Sequence, residues 1–296
     1  MFSTDFKNKS FFPILVLIFL SLIWGSSFIL IKKGLAAFSP LQVGSLRIVF
    51  AFLVLLPVTF KYFNDLFHKN WKQLLILGLV SNLFPAILFA VAQTEITSSL
   101  AGMLNSLTPI STIIIGILFF RTKISLPLLI GLLLGLSGSV LLSFIGSGGA
   151  LGEFNVYALF VISATILYGT AANLIKSYVR KIEPTILVAL TMFSVGPISI
   201  ILLFTTDFSH RLLNNPDAAI SIIYIFILGA IGTAFALVVF NKIIKRTSAV
   251  FASSVTYLVP IVAISWGIID GENLFPLHFL GMGIIIIGIF LINKYR

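Results

Sequence analysis

Cysteine is absent from this 296-residue sequence. That excludes disulfide frameworks, Cys-ligated zinc, iron–sulfur clusters and thiol nucleophiles, and it leaves the redox compartment open. Charge is scarce as well: 9% of residues are Asp, Glu, Lys or Arg, against about 25% in an ordinary soluble domain, so most of the surface cannot face water. The three histidines, His68, His210 and His278, stand far apart in loops or at helix ends. With nine acidic residues in the whole chain, no cluster suits a buried catalytic site or a metal centre. No catalytic residue, metal or cofactor is expected, and the chain is not expected to be an enzyme. No GxxxxGK[ST] pattern occurs, so ATP is not used by the chain itself. The formal charge of +10 raises nucleic acid as a partner, but that needs a basic patch on a water-exposed face. Here Lys and Arg come in small groups between apolar runs, and no nucleic-acid partner is expected.

What is plentiful is hydrocarbon, at 59% of the residues. A spanning helix needs about 20 mostly apolar residues, and on that ruler ten runs qualify: 12–31, 42–60, 73–92, 99–119, 127–145, 154–174, 185–204, 219–240, 248–268 and 277–293. They are too long, and alternate too little, for barrel strands. The first run exceeds a signal-peptide core of about 7–15 residues and has no clear cleavage site, so it reads as a retained helix. The expected fold is therefore an all-α integral membrane bundle of ten transmembrane helices, with the lipid bilayer as its surroundings. Placing the N-terminus in the cytoplasm puts fifteen of the nineteen basic residues on the inner side and leaves only Lys32, Lys33 and Arg211 outside, with Arg47 inside a helix. The positive-inside bias then puts both termini in the cytoplasm of a multi-pass cell-membrane protein.

The runs repeat. Thr97–Ile110, TSSLAGMLNSLTPI, returns as Thr247–Ile261, TSAVFASSVTYLVPI, with Pro109 and Pro260 separated by 151 residues. At that spacing Ser98, Gly102, Asn105 and Pro109 fall on Ala249, Ser253, Thr256 and Pro260, one helical face in each copy. Trp24-Gly25 matches Tyr168-Gly169 and Pro40 matches Pro184 at 144; Gly78, Asn82, Pro85 and Phe89 match Gly229, Thr233, Ala236 and Phe240 at 151; Gly131 and Gly138 match Gly281 and Gly288 at 150. Two units of five helices, 12–145 and 154–293, follow, joined near the GSGG of 146–149. An odd-numbered unit repeated in tandem crosses the membrane the other way the second time, so the repeats are inverted.

The WGSSF stretch from Trp24 to Phe28, Pro40, Leu46-Arg47, the helices of Pro109 and Pro260, and Gly271-Glu272 before a glycine-rich last helix together resemble the EamA branch of the drug/metabolite transporter superfamily. The resemblance covers nearly the whole chain. It implies two inverted five-helix repeats around a central cavity, alternating access, and export of a small metabolite such as an amino acid or drug-like compound. One departure is visible: Arg121 stands where members often carry a glutamate, leaving Glu272 without its usual counterpart.

Candidate substrate-binding residues are Trp24, Ser27, Arg47, Asn82, Asn105, Tyr168, Thr233 and Thr256. An arginine inside a membrane helix costs several kcal/mol unless it faces a cavity or partner. Arg47 therefore either attracts an anionic group such as a carboxylate or snorkels and ties its helix to a neighbouring carbonyl. The amide and hydroxyl groups either line water or bridge helices. Trp24 with Ser27, and Tyr168 with Thr165, are mixed polar and aromatic pairs one turn apart, and Phe89, Phe240, Tyr257 and Trp266 could add pocket wall or plain packing. Pro85, Pro109 and Pro260 are expected to break or hinge their helices. The glycine sets of the fifth and tenth runs suit internal packing, with a homodimer contact as the other option. Glu95, Asp270 and Glu272 fall at outer ends, where loop or hinge pairing is their default role.

Overall fold

In hydrocarbon every backbone amide must find its partner within the protein, a demand helices meet locally. The structure, a computed structural model, describes residues 11–63, 67–120, 125–145, 149–178, 182–246 and 255–294. Among them it is helical apart from turns and one isolated bridge, Ile145 with Leu151. The elements are α1 (Phe11–Leu35), α2 (Pro40–Tyr62), α3 (His68–Gly78), α4 (Phe84–Ala92), α5 (Ser98–Asn105), α6 (Thr108–Phe120), α7 (Leu126–Ser143), α8 (Ala158–Tyr178), α9 (Pro184–Phe204), α10 (Phe208–Asn214), α11 (Ala218–Gly229), α12 (Ala236–Arg246), α13 (Val255–Ile269) and α14 (Pro276–Lys294). Among the described residues, the ten apolar runs give seven helical stretches long enough to cross a bilayer, at 15–35, 40–62, 69–92, 98–120, 158–175, 184–204 and 218–243, and three apolar stretches within α7, α13 and α14, at 129–143, 258–269 and 276–291. The ninth run begins outside the described residues, so only its later part is counted.

Local chemistry sets the helix starts. Ser39 and Gln42 form a reciprocal capping box at α2, with Pro40 just inside. Thr97 caps α5 by accepting from the Leu100 amide, and Glu183 caps α9 by accepting from Thr185 and Ile186.

Helix packing follows a pattern that maps onto itself when the two halves are exchanged. Gly25 of α1 meets Val262 of α13, and Gly169 of α8 meets the backbone of Ser111 and Thr112 in α6. Gly138 of α7 abuts the carbonyl of Gly281 in α14, and Gly288 abuts that of Gly131. These glycine faces are therefore taken up inside the chain, where small residues permit close backbone approach. Gly78, ending α3, lies against the Thr191 carbonyl of α9, while Gly229, ending α11, lies against the Arg47 carbonyl of α2. Thr191 follows Arg47 by the same 144 residues that separate Pro40 from Pro184. The two halves thus share a helix–helix contact but differ in its polar residue.

The third and eighth apolar runs each contain a π-helical turn, Leu79–Leu83 between α3 and α4 and Ala230–Phe235 between α11 and α12. These turns start 151 residues apart, and each holds one of the expected polar residues, Asn82 or Thr233. Such widened turns recur at functional sites. The three prolines differ in their local effect. The helix passes through Pro85 without a break, Pro85 standing second after the π turn that ends at Leu83. Ala236, 151 positions on, directly follows the second π turn, so that turn forms without a proline. Pro260 lies inside an unbroken α13, because lost hydrogen bonding at a proline can be made up by neighbours. At Pro109 the helix is interrupted: α5 ends at Asn105 and α6 starts at Thr108.

Candidate functional site

The π turn at Ala230–Phe235 is the point on which several predicted residues converge. Thr233 is buried in it, and its hydroxyl donates to the Leu228 carbonyl five residues back, at 3.1 Å. The same oxygen accepts from Arg47 Nε at 2.7 Å. Gly229 makes this possible, because a Cβ there would sit 2.6 Å from the Arg47 carbonyl and push α11 off α2. Among the described residues, Nε is the only guanidinium nitrogen of Arg47 with a hydrogen-bond acceptor. Trp24 Nε1 donates to the Gly232 carbonyl at 3.1 Å, which spends a backbone acceptor of the π turn on α1. Ser27 is buried beside Gly232 and returns its proton to the Ile23 carbonyl at 3.1 Å.

Aromatic rings wall the same region. Trp24 meets Phe240 edge-on with centroids 4.9 Å apart. Phe28 meets Phe89 at 5.7 Å, and Phe89 stacks on Tyr168 at 6.1 Å. Trp24, Ser27, Arg47 and Thr233 are therefore drawn together from α1, α2 and the second π turn, and Tyr168 of α8 joins the same stretch of α1 through Phe89 and Phe28. A cation held by one nitrogen can receive an anionic guest.

Asn82 and Asn105 bond more locally. Asn82, buried in the first π turn, donates to Ser81 Oγ at 2.7 Å. Asn105 is half-buried at the end of α5, where its carbonyl and amide oxygens accept from Thr108 Oγ1 at 2.8 and 3.3 Å. Thr256 is half-buried near the start of α13. Trp266 donates from Nε1 to Ser26 Oγ at 2.7 Å, tying α13 to α1.

A second polar cluster joins two of the acids for which the sequence suggested loop or hinge pairing, with partners it did not name. At the far end of α1, Lys32 pairs with Asp270 at 2.7 Å and Glu272 at 3.1 Å, and Lys33 pairs with Asp270. Glu272 also accepts from the Ser98 amide (2.9 Å), the Ser99 amide (3.0 Å) and Ser99 Oγ (2.7 Å), capping α5 from the α13–α14 turn. Its side chain is only 2% exposed. Burial, the largest single influence, pushes the Glu272 carboxyl upward, but the donors from Ser99, Ser98 and Lys32 together hold it below the ordinary carboxylate range. Hydrogen bonds from Lys32 and Lys33 lower Asp270 likewise. No short spacing could have revealed this, since the partners stand 240 residues apart. The available signal was the coincidence of the only paired outer lysines with two acids assigned to the same side. A cavity of about 500 Å³ opens at this end, lined by Lys32, Ser39, Gln93, Thr94 and Arg211 among others.

Comparison with known proteins agrees on one kind of molecule. The model of the EamA-like transporter family matches twice, over residues 11–144 and 155–294. An uncharacterized transporter of Archaeoglobus fulgidus is 24% identical, the alignment covering 92% of this chain and 95% of that protein. The uncharacterized inner membrane transporter YedA of Escherichia coli is 23% identical over 93% and 88% of the two chains. An S-adenosylmethionine/S-adenosylhomocysteine transporter of Chlamydia muridarum is 25% identical over 92% and 89%. A crystal structure superposes with a TM-score of 0.63 at 16% identity, covering 93% of this chain and 94% of its own, which supports the fold alone.

Proposed function

The chain belongs to the EamA-like transporter family, and from that membership we propose a secondary transporter that exports a small carboxylate-bearing metabolite by alternating access around Arg47. The working unit is a ten-helix bundle of two inverted repeats, 12–145 and 154–293, with both termini in the cytoplasm of a bacterial cell membrane. Exchange of packing partners between halves and the paired π turns support this arrangement.

The observation that carries the substrate reading is the one-sided guanidinium. Where one half places Thr191 against the neighbouring glycine, the other places Arg47, held by Thr233 through Nε alone among the described residues. A planar fork with free terminal nitrogens suits a carboxylate bidentately. The Phe28, Phe89 and Tyr168 rings, which pack on one another along the same stretch of α1 as Ser27, favour cargo with a flat or apolar body. The named cargo of the Chlamydia relative fits this description in chemical terms, pairing an amino-acid carboxylate with a purine ring.

Counterflow in liposomes containing purified protein, run against amino acids, nucleosides, organic acids and lipophilic amines, tests the proposal. Saturable exchange of carboxylate-bearing compounds, lost in Arg47→Ala and weakened in Arg47→Lys, is the expected result. Transport unchanged in both variants would remove Arg47 from substrate binding.

A further inference from the structure

We infer that Glu272 is the keystone of a latch that holds the Lys32 end of the bundle shut, and that each transport cycle must break it. This rests on the alternating-access reading above and adds the element whose making and breaking sets one side's opening. The latch joins parts that are distant in the chain: α1 through Lys32 and Lys33, the amino end of α5 through Ser98 and Ser99, and the α13–α14 turn through Asp270 and Glu272. Two of these belong to the first half and one to the second, so the contact bridges whatever moves between halves.

The geometry is built for one carboxylate. Glu272 receives three hydrogen bonds at the start of α5, where backbone amides otherwise lack partners and the helix dipole favours negative charge. Gly271 adopts φ +80°, a conformation open to glycine, which turns the chain so that the next side chain points back at α5. Gly267, two residues before the end of α13, leaves the space in which the Glu272 carboxylate and the Ser99 hydroxyl meet; a Cβ there would overlap both. The Ser98 hydroxyl adds a bond to the Phe28 carbonyl at 3.4 Å, and Phe28 packs on Phe89 beside the Arg47 region. Closure at this end is thus physically continuous with the aromatic wall of the candidate site. The cavity on which Lys32 borders opens beside the latch.

Opening would strip Glu272 of these donors at once, whereas Lys32, with a side chain 38% exposed, can turn to water. The two partners are therefore unequal. Loss of the carboxylate's charge weakens the helix cap and the ion pair together; loss of the ammonium weakens only the ion pair.

The chain's lack of cysteine makes the test direct. Spin labels on Glu95→Cys and Asn273→Cys, both exposed at this end, report the separation of the α4–α5 loop from the α13–α14 turn by double electron–electron resonance in liposomes without substrate. In the labelled parent one short distance should dominate. Glu272→Gln should raise the ratio of long to short distances at least tenfold, and Lys32→Met should raise it by a smaller factor. Distributions that superimpose on the parent's in both variants, with each protein still eluting as a folded species, would overturn the latch. If Glu272→Gln does not fold, an unchanged distribution in Lys32→Met overturns it alone. No cargo is involved, so failure here leaves the Arg47 transport reading standing, and failed counterflow leaves the latch result intact.

Discussion

The bond between Arg47 Nε and Thr233 Oγ1, at 2.7 Å, offers the sharpest test of how the candidate site is held. Thr233→Val keeps the β-branched shape and removes the hydroxyl, so packing against α2 should change little. Two terms are lost. One is the bond from a charged donor, worth about 1.5–3 kcal/mol when its partner is removed. The other is the weaker bond to the Leu228 carbonyl, which on membrane-protein precedent contributes about 0.6 kcal/mol. The expected cost in the parent background is about 2–3.5 kcal/mol, taken from those two ranges. In an Arg47→Met background only the second term remains, so the same substitution should cost about 0.6 kcal/mol. The difference, a coupling of about 1.5–3 kcal/mol, is measured by a double-mutant cycle on unfolding in mixed detergent micelles. Non-contacting pairs add to within about 0.3–0.5 kcal/mol. A coupling inside that margin would mean that Thr233 does not hold Arg47.

Four further outcomes follow from the same contacts. Gly229→Ala should force α11 away from Arg47 and lower counterflow more than it lowers thermal stability, which parallel rate and melting measurements would check. Gly267→Ala should mimic Glu272→Gln in the spin-label distances, since the new methyl overlaps the carboxylate and Ser99; a parent-like distribution would contradict it. The latch carboxyls Asp270 and Glu272 lie below their ordinary values. The closed state is therefore fully favoured above the ordinary carboxylate range, roughly pH 4, and loses that advantage as pH falls through the lowered latched values. Spin-label distances taken from pH 7 downward should lengthen only in that acidic window, and Glu272→Gln should flatten the response. Trp24→Phe keeps the ring near Phe240 and removes the bond to the Gly232 carbonyl; it should reduce counterflow severalfold, read as the initial rate at saturating cargo.

The bilayer class, the apolar runs and the internal duplication could be read directly from the sequence. Each depends on local quantities: how long a stretch stays apolar, and which residue types recur at 144, 150 or 151 positions. Arg47 also stood out by itself, because a lone charge in hydrocarbon demands an explanation wherever its helix packs. Its partner did not. Thr233 looked no different from Asn82, Asn105 or Thr256, and only the approach of α11 to α2 through Gly229 singled it out.

What each proline does was hidden for a related reason. Proline removes one donor and crowds one carbonyl, but whether the helix then breaks depends on what surrounds those groups. Pro85 and Pro260 stay within helices while the interruption at Pro109 persists. The π turns left no sequence mark, since they come from a single extra residue accommodated in a packed helix. The latch was hidden by distance: Lys32 and Glu272 share no motif, and their charges look like ordinary loop residues until folding buries one of them. Composition and periodicity thus decided the solvent this chain lives in and where its long apolar runs lie. Which polar groups meet inside it was decided by tertiary packing, because side chains from helices up to 240 residues apart are brought within hydrogen-bond reach only when the helices close on one another.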